Sequence, residues 1–313
     1  MATEPVSDAD LSVHYCLKSI DRVQGDPETT AFKRRARLHQ ALWREARGLE
    51  MGTNPVKPSP LGNMLVADEA RKSGANFLND KIRQVVRERL ANPQEHQMLD
   101  EERLYCNLLS SMPMCFNLFG ILQTDLEMAD QAVHAWWPDV PGRVSAVHFE
   151  WSPGRALPGQ YLENRTSFDV AFELELENGG HGILGIETKY HENCKPEKSP
   201  NEEQQRRYTE VTNKSGVLSS ESMLGILGAD LQQIWLDHLL ALSMLQHESR
   251  KWNWARFVLV HPAKNPSYAR AAERYRQLLK NSETFHVTTL ESLLAASILP
   301  KEIASAFRKR YLW

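Results

Sequence analysis

Apolar residues in the first hundred positions recur at intervals of three and four, the spacing of one face of an α-helix. Residues 29–48 place Phe32, Leu38 and Trp43 at such intervals, and residues 75–91 follow the same pattern. We therefore predict helices over both stretches. Between them, three prolines fall within residues 52–62 and predict a loop, because proline lacks an N–H donor and has a fixed φ.

Residues 100–135 show the helical pattern again, with an irregularity expected at Pro113. From Val144 onward the period changes from that of a helix to that of a strand. We therefore interpret residues 1–100 as a helical N-terminal region that packs on a core formed by residues 101–313.

Alternation of apolar and polar residues predicts strands over 145–151, 167–176 and 182–190. The last two are separated by 178–180, Asn-Gly-Gly, whose residues tolerate the positive φ of a hairpin loop. A polar stretch over 193–220 predicts a mobile connection or flap. The rest alternates as helix 222–246, strand 256–261, helix 267–279, strand 284–288 and helices 290–296 and 301–310. An α/β core preceded by a helical part follows from this order.

The charge of the 313 residues is close to balanced, with 37 Lys and Arg against 40 Asp and Glu, a net of −3. Its distribution is uneven: residues 1–149 carry −3, residues 150–249 carry −8 and residues 250–313 carry +8. Such a distribution fits a metal site beside a phosphate-facing surface, and it fits two ordinary solvated surfaces equally.

Cysteine usage and the N-terminus indicate a compartment. The four cysteines are far apart and form no C-x-x-C pair, so the spacing favours neither a disulfide framework nor a cysteine-rich zinc site. The N-terminus has no apolar secretory segment, and no stretch reaches the roughly 20 apolar residues of a membrane span. We expect a cytoplasmic protein without a membrane partner.

Carboxylates and one lysine share a side of the predicted hairpin. With a three-residue loop at 178–180, Asp169 faces Lys189 and Ala171 faces Glu187, all on one side of the sheet. A loop of two residues would move Asp169 to the opposite face. The pattern alone is also that of a cross-strand salt bridge on a solvated face, worth at most about 1 kcal/mol.

Two carboxylates beside an ammonium suit one kind of chemistry. Hard oxygen ligands favour Mg²⁺ or Mn²⁺, which keep several waters and accept phosphate oxygens. Such an ion polarises a phosphodiester and lowers the pKa of a bound water, and a lysine beside that water orients it. Metal-assisted phosphodiester hydrolysis requires this set of groups.

Asp169 and the Glu187-Thr188-Lys189 run, with their strands and flanking helices, resemble the PD-(D/E)xK nuclease superfamily. More specifically, the chain is similar to a poorly characterised bacterial family within it, from about residue 77 to about residue 260. The stretches that carry this likeness are 76–78, 107–120, 149–155, 167–169, 185–192 and 233–240. The resemblance implies a restriction-endonuclease-like fold, with a mixed central sheet flanked by helices.

The resemblance also implies roles for residues of this chain. Asp169 and Glu187 would be metal ligands, the Thr188 carbonyl would add an oxygen, and Lys189 would be the catalytic lysine. The cofactor would be Mg²⁺, with Mn²⁺ as a substitute. Phe168 stands where the superfamily's name has proline, at a position that varies widely there.

Neighbouring elements supply further candidates. The superfamily often adds a glutamate from the helix before the sheet, here Glu127, with Asp125 and Asp130 as alternatives. A glutamine from the helix after the motif fits Gln233 better than Gln232.

Two arginines flank the loop before Asp169. Arg155 and Arg165 could contact phosphate, since a guanidinium fork matches phosphate oxygens. The alternative is that both are ordinary arginines of a surface loop.

The resulting hypothesis is a Mg²⁺-dependent nuclease that acts on nucleic acid, with DNA expected as the substrate. The alternative from another class is a catalytically silent nucleic-acid-binding or assembly protein that keeps the nuclease fold. A hydrolase for small phosphorylated substrates is a third reading. The oligomeric state is open and includes a homodimer, since one active site cuts one strand.

Overall fold

The computed structural model describes residues 3–97 and 99–313. Its N-terminal part is mainly helical and contains one small antiparallel pair of strands. These elements are α1 (Asp8–Val13), α2 (Pro27–Ala46), β1 (Met51–Thr53), β2 (Pro60–Leu65), α3 (Ala67–Ser73), α4 (Asp80–Ala91), α5 (Glu101–Cys106), α6 (Ser111–Gln123) and α7 (Leu126–Trp136). The predicted loop thus contains strand β1 and the beginning of β2.

Capping residues decide where the predicted helices begin. The helix expected from residue 75 starts at Asp80, because the Asn79 side chain accepts the N–H of Ile82. The region expected as one irregular helix over 100–135 is three helices. Pro113 lies in the first turn of α6, where a proline costs no hydrogen bond, so it does not kink the helix.

A five-stranded mixed sheet forms the centre of the second half, and the expected sheet flanked by helices is confirmed. The strands are β3 (Arg143–Trp151), β4 (Phe168–Glu175), β5 (His181–Thr188), β6 (Trp252–His261) and β7 (Phe285–Thr289), in that spatial order. The first three are antiparallel, and β5, β6 and β7 are parallel. The accompanying helices are α8 (Glu202–Ser215), α9 (Ser220–Ile226), α10 (Gln232–Leu245), α11 (Pro266–Leu278), α12 (Leu290–Ala295) and α13 (Lys301–Tyr311).

Both faces of the sheet are covered by apolar clusters. Val170 and Phe172 pack in a cluster with α6, α7 and α13, whereas Ala171 and Leu259 pack on the other side with α10 and α11. Ala36 of α2 belongs to the first of these clusters. The core is therefore continuous across residue 100, and the division of the chain there stays a prediction.

The hairpin between β4 and β5 has a three-residue loop, one position earlier than expected. The Leu176 N–H donates to the Gly180 carbonyl at 2.9 Å, and Gly179 has a φ of 77°. Val170 pairs with Ile186, so the register places Asp169 opposite Glu187. The expected pairing of Asp169 with Lys189 is wrong by two positions. Because the loop is odd, the two carboxylates still lie on one side of the sheet.

Two expectations for residues 193–246 need correction. The polar stretch contains helix α8, which Asn201 and Gln204 cap reciprocally. The long helix expected over 222–246 is interrupted at Gly228, whose φ of 71° is incompatible with a helix. Its second part, α10, starts at Gln232 and packs against β6.

All four cysteines carry free thiols, and three of them are buried. In the described ranges, no helix combines the length and the apolar composition needed to cross a membrane.

Candidate active site

Three carboxylates lie side by side on three neighbouring strands. The pairing of Trp151 with Phe168 continues by one step to place Glu150 of β3 opposite Asp169 of β4. The β4–β5 register places Asp169 opposite Glu187. Residues opposite each other in a sheet have Cβ atoms about 4.5–5.5 Å apart. The sheet therefore collects acidic groups where the sequence predicted only two.

Glu150 has an unusual backbone, and Arg155 holds it. Its φ is 49°, a conformation that costs a non-glycine residue on the order of 1–3 kcal/mol and recurs at functional sites. Nη2 of Arg155 donates to the Glu150 carbonyl at 2.6 Å. Arg155 is only 6% exposed, so it lies inside the protein rather than on a phosphate-facing surface.

Asp169 is fixed by the residue after Glu187. The backbone N–H and the hydroxyl of Thr188 donate to the same oxygen, Oδ2 of Asp169, at 2.8 and 2.6 Å. Two donors on one oxygen set the orientation of the carboxylate. The role expected for the Thr188 carbonyl stays a prediction.

Glu187 has two nitrogen partners, both expected from the sequence to be in the site. Nζ of Lys189 donates to Oε1 of Glu187 at 2.6 Å, and Nε2 of Gln233 in α10 donates to the same atom at 3.1 Å. Glu187 and Lys189 are 7% and 6% exposed. The strand and the helix thus hold one carboxylate oxygen from two sides.

Burial and crowding shift the carboxyl groups toward their protonated forms. Burial, together with the charges of Asp169 and Glu187, raises the pKa of Glu150 to about 8. Burial and the charge of Asp169 raise the pKa of Glu187 to about 7, against the opposing effect of Lys189. Burial also raises the pKa of Asp169.

Lys189 shifts in the direction that keeps its charge. Burial, the largest single effect, would lower its pKa, but Glu187, Tyr268, Asp237 and Glu192 together outweigh burial, and the pKa lies well above its ordinary value. Several acids of the site therefore compete for the charge of Lys189.

Two of the three acids, Asp169 and Glu187, line a pocket of about 390 Å³. Asp169 and Glu187 line its floor, Gln233 and Asp237 of α10 line one wall, and the exposed Arg165 lies at its edge. Of the two expected arginines, the structure therefore brings Arg165 to the pocket. Asp237 did not emerge from the sequence, because an aspartate inside an apolar helix carries no motif.

A second group of residues surrounds Glu192, whose negative charge acts on Lys189. Glu192 accepts the Tyr190 N–H at 2.8 Å and the Ser111 hydroxyl at 3.0 Å, and Arg103 lies 3.6 Å away. Burial would raise the pKa of Glu192, but Lys189 and these donors outweigh burial and lower it. Nothing in the sequence links residues so far apart in the chain.

Glu127 is not brought to this site. One turn further along α7, Asp130 accepts the N–H of Val144 at the beginning of β3, whereas Glu150 lies near the end of that strand. Six residues of extended strand separate the two positions by roughly 20 Å. Glu127 is exposed on α7, and the role expected for it stays a prediction.

The basic C-terminal segment does not form a phosphate-facing surface as a whole. Arg256 pairs with Asp139, Arg274 pairs with Asp230, and Arg310 is fully buried. Much of the local excess of +8 is therefore used in contacts with other parts of the chain.

The acidic row provides only carboxylate oxygens, which are the ligands that Mg²⁺ and Mn²⁺ prefer. Across residues 3–97 and 99–313, no three His, Cys, Asp or Glu side chains converge on one point as direct ligands. Burial and mutual repulsion raise the pKa values of Glu150 and Glu187, a shift that further positive charge at the row would oppose. A divalent cation with part of its water shell fits this donor set.

Comparisons with known proteins identify a family. No curated protein and no solved structure matches the chain. The family model described as the PD-(D/E)XK nuclease superfamily matches residues 26–313, nearly the whole chain. The resemblance found in the sequence is thereby confirmed, and the strand–hairpin–strand arrangement with Asp169, Glu187 and Lys189 agrees with it. The chain belongs to the PD-(D/E)XK nuclease superfamily.

Proposed function

We propose that this protein is a nuclease that hydrolyses phosphodiester bonds of nucleic acid, DNA in the first place, with Mg²⁺ as cofactor and Mn²⁺ as a substitute. The observation that carries the proposal is the row of Glu150, Asp169 and Glu187 on adjacent strands, with Lys189 bonded to its last member. A structural salt bridge needs one acid and one base. Three crowded acids instead raise the cost of folding and favour a role in binding a cation.

Asp169, Glu187 and Glu150 would hold the divalent cation, which would polarise the scissile phosphate and lower the pKa of a bound water. Thr188 keeps Asp169 oriented through two hydrogen bonds, and Gln233 orients Glu187 through one. Side chains held by such contacts need little rearrangement during the reaction.

Lys189 acts as a cation in this proposal, because its raised pKa keeps it protonated at neutral pH. An ammonium has three N–H donors, and Glu187 takes one of them. The others would orient the attacking water and stabilise the negative charge that develops on the phosphate. The exposed Arg165 would contact a neighbouring phosphate at the edge of the pocket.

The test is incubation with linear, circular and single-stranded DNA and with RNA, each with and without Mg²⁺ or Mn²⁺. We expect cleavage only with the metal, and a loss of at least about 100-fold in the Glu187→Ala and Lys189→Ala variants. Glu175→Gln is the matched control, because this exposed glutamate lies at the opposite end of β4. Circular dichroism would show that each variant is folded.

Two outcomes would contradict the proposal. Cleavage that survives both active-site substitutions would mean that another protein or another site is responsible. Binding of nucleic acid without cleavage of any substrate would instead favour a catalytically silent binding protein.

Elution from a sizing column at twice the monomer mass would favour a homodimer, whose two active sites could cut both strands of a duplex.

A further inference from the structure

Asp237 is a buried carboxylate whose position no structural need explains. It is 4% exposed, and its Oδ2 is buried without accepting a hydrogen bond from the described part of the chain. A buried polar group without a partner costs on the order of 1–3 kcal/mol, and a charged one costs more. An aspartate at this place therefore calls for a compensating group.

The side chain faces the pocket. Asp237 and Gln233 are four residues apart on α10, so they lie on the same face of the helix, and both line the pocket beside Glu187. The neighbours of Asp237 on the other faces, Trp235 and Leu239 among them, are buried in the apolar cluster of α10 and α11. Asp237 and Gln233 thus present polar groups to the pocket, whereas His238 of the same helix contacts the Tyr275 and Thr284 hydroxyls.

The charges of the pocket determine what can compensate Asp237. Asp169 and Glu187 form the adjacent floor, so a phosphate or another anion next to Asp237 would be repelled. Lys189 is bonded to Glu187 at 2.6 Å, and in the proposed function its other donors serve the attacking water and the phosphate. A cation held between the helix and the sheet would balance the negative charges of Asp237, Asp169 and Glu187 together.

We propose that Asp237 is a further residue of the cation site, which binds the water shell of the divalent ion from the helix side of the pocket. The proposal rests on the proposed metal-dependent function. Contact through water follows from the geometry, because the acids do not converge on one point as direct ligands within the described residues. Mg²⁺ keeps several of its waters and so spans such a gap.

The test follows thermal unfolding of the whole chain as Mg²⁺ or Mn²⁺ is added, so that its readout is independent of cleavage. An ion that binds only the folded state stabilises it by RT ln(1 + c/Kd), where c is the ion concentration, so the melting temperature rises with the ratio of ion concentration to Kd. The half-effect concentration is the one that gives half of the rise seen in the wild type at a fixed upper concentration of the ion. We expect Asp237→Asn to raise the metal concentration at half-effect by about 10- to 100-fold, the usual cost of losing an outer contact. Asp237→Ser, which also removes the charge but is smaller, should do the same.

Asp139→Asn is the matched control, because it removes a carboxylate that pairs with Arg256 away from the pocket. It should leave the half-effect concentration unchanged. Glu187→Gln should abolish the response. Circular dichroism would exclude unfolded variants.

The outcomes separate this inference from the function on which it rests. A half-effect concentration within about twofold of the wild type in both Asp237 variants would overturn the role of Asp237 and leave the nuclease proposal standing. A wild-type protein that neither responds to metal nor cuts any substrate would overturn both.

Discussion

The ring of Phe168 lies over Gly185, in the space that a Cβ on this glycine would need. Phe168 directly precedes Asp169, so the glycine on β5 allows the ring to pack and thereby fixes the beginning of the acidic strand. We expect Gly185→Ala to destabilise the protein by about 1–3 kcal/mol, the usual cost of overpacking a core. Urea unfolding measures the loss, and cleavage should fall because Asp169 moves.

Gly225→Ala is the control for that substitution. A Cβ on Gly225 meets nothing within 4 Å, and the residue lies inside helix α9. Alanine is favoured over glycine in a helix by roughly 0.5–1 kcal/mol, so this variant should be equally or more stable. Equal effects of the two substitutions would show that the contact with Phe168 is unimportant.

Glu150, rather than Glu127, should be required for cleavage. Glu150 lies opposite Asp169 in the sheet, whereas Glu127 is exposed on α7 near the other end of β3. We expect Glu150→Gln to lower metal-dependent cleavage by at least about 100-fold and Glu127→Gln to change it by less than about twofold. Steady-state rates for both variants decide between them, and the reverse pattern would exclude Glu150 from the site.

The N-terminal segment should stabilise the end of the motif strand through Asp21. This fully buried side chain bonds Arg37, and its Oδ1 lies 2.9 Å from Nε2 of His191, two residues after Lys189. Burial would raise the pKa of Asp21, but Arg37 and His191 outweigh burial and hold it well below the ordinary value. Asp21→Asn should lower the free energy of unfolding by about 3–5 kcal/mol, because Arg37 is left buried without its counter-charge.

A surface ion pair provides the comparison for Asp21. Glu28 bonds Arg270 at 3.0 Å and is 68% exposed. Glu28→Gln should therefore lower the free energy of unfolding by less than about 1 kcal/mol, measured for both variants by urea unfolding. Losses of similar size in both variants would mean that Asp21 contributes no more than a surface charge.

The sequence predicted the elements of the core well, because alternation and helical spacing are local properties. The odd hairpin loop was enough to place Asp169 and Glu187 on one side of the sheet, although the exact pairing was wrong by two positions. Moving a three-residue loop by one position along the chain changes the pairing by two residues, and this keeps every side chain on the same face. Loop length therefore determines the face of a residue more reliably than its exact pairing partner.

Residues that join the site from distant segments could not be predicted. Glu150 is separated from Asp169 by an irregular connection over 152–167, so no turn pattern fixes the β3–β4 register. Asp237 looks like an interruption of an apolar helix until the sheet is placed beside it. The N-cap of α8 at Asn201 was present in the sequence and was missed because the surrounding stretch is polar.

Acidification should destabilise the protein through His238, a fully buried histidine. Its ring nitrogens lie 2.9 Å from the Tyr275 hydroxyl and 2.8 Å from the Thr284 hydroxyl, and burial lowers its pKa to about 3. The unfolded chain binds a proton near pH 6.5, which the folded chain accepts only near pH 3. The stability due to neutral His238 is therefore complete above pH 6.5 and is lost as the pH falls toward 3, by up to about 1.4 kcal/mol per pH unit.

The raised pKa values of Glu150 and Glu187 have the opposite effect on the free energy of unfolding as the pH falls. The measurement is therefore the difference between wild type and His238→Gln in urea unfolding between pH 5 and 7. We expect the wild type to lose stability more steeply than the variant below pH 6.5, and parallel curves would show that His238 does not titrate with folding.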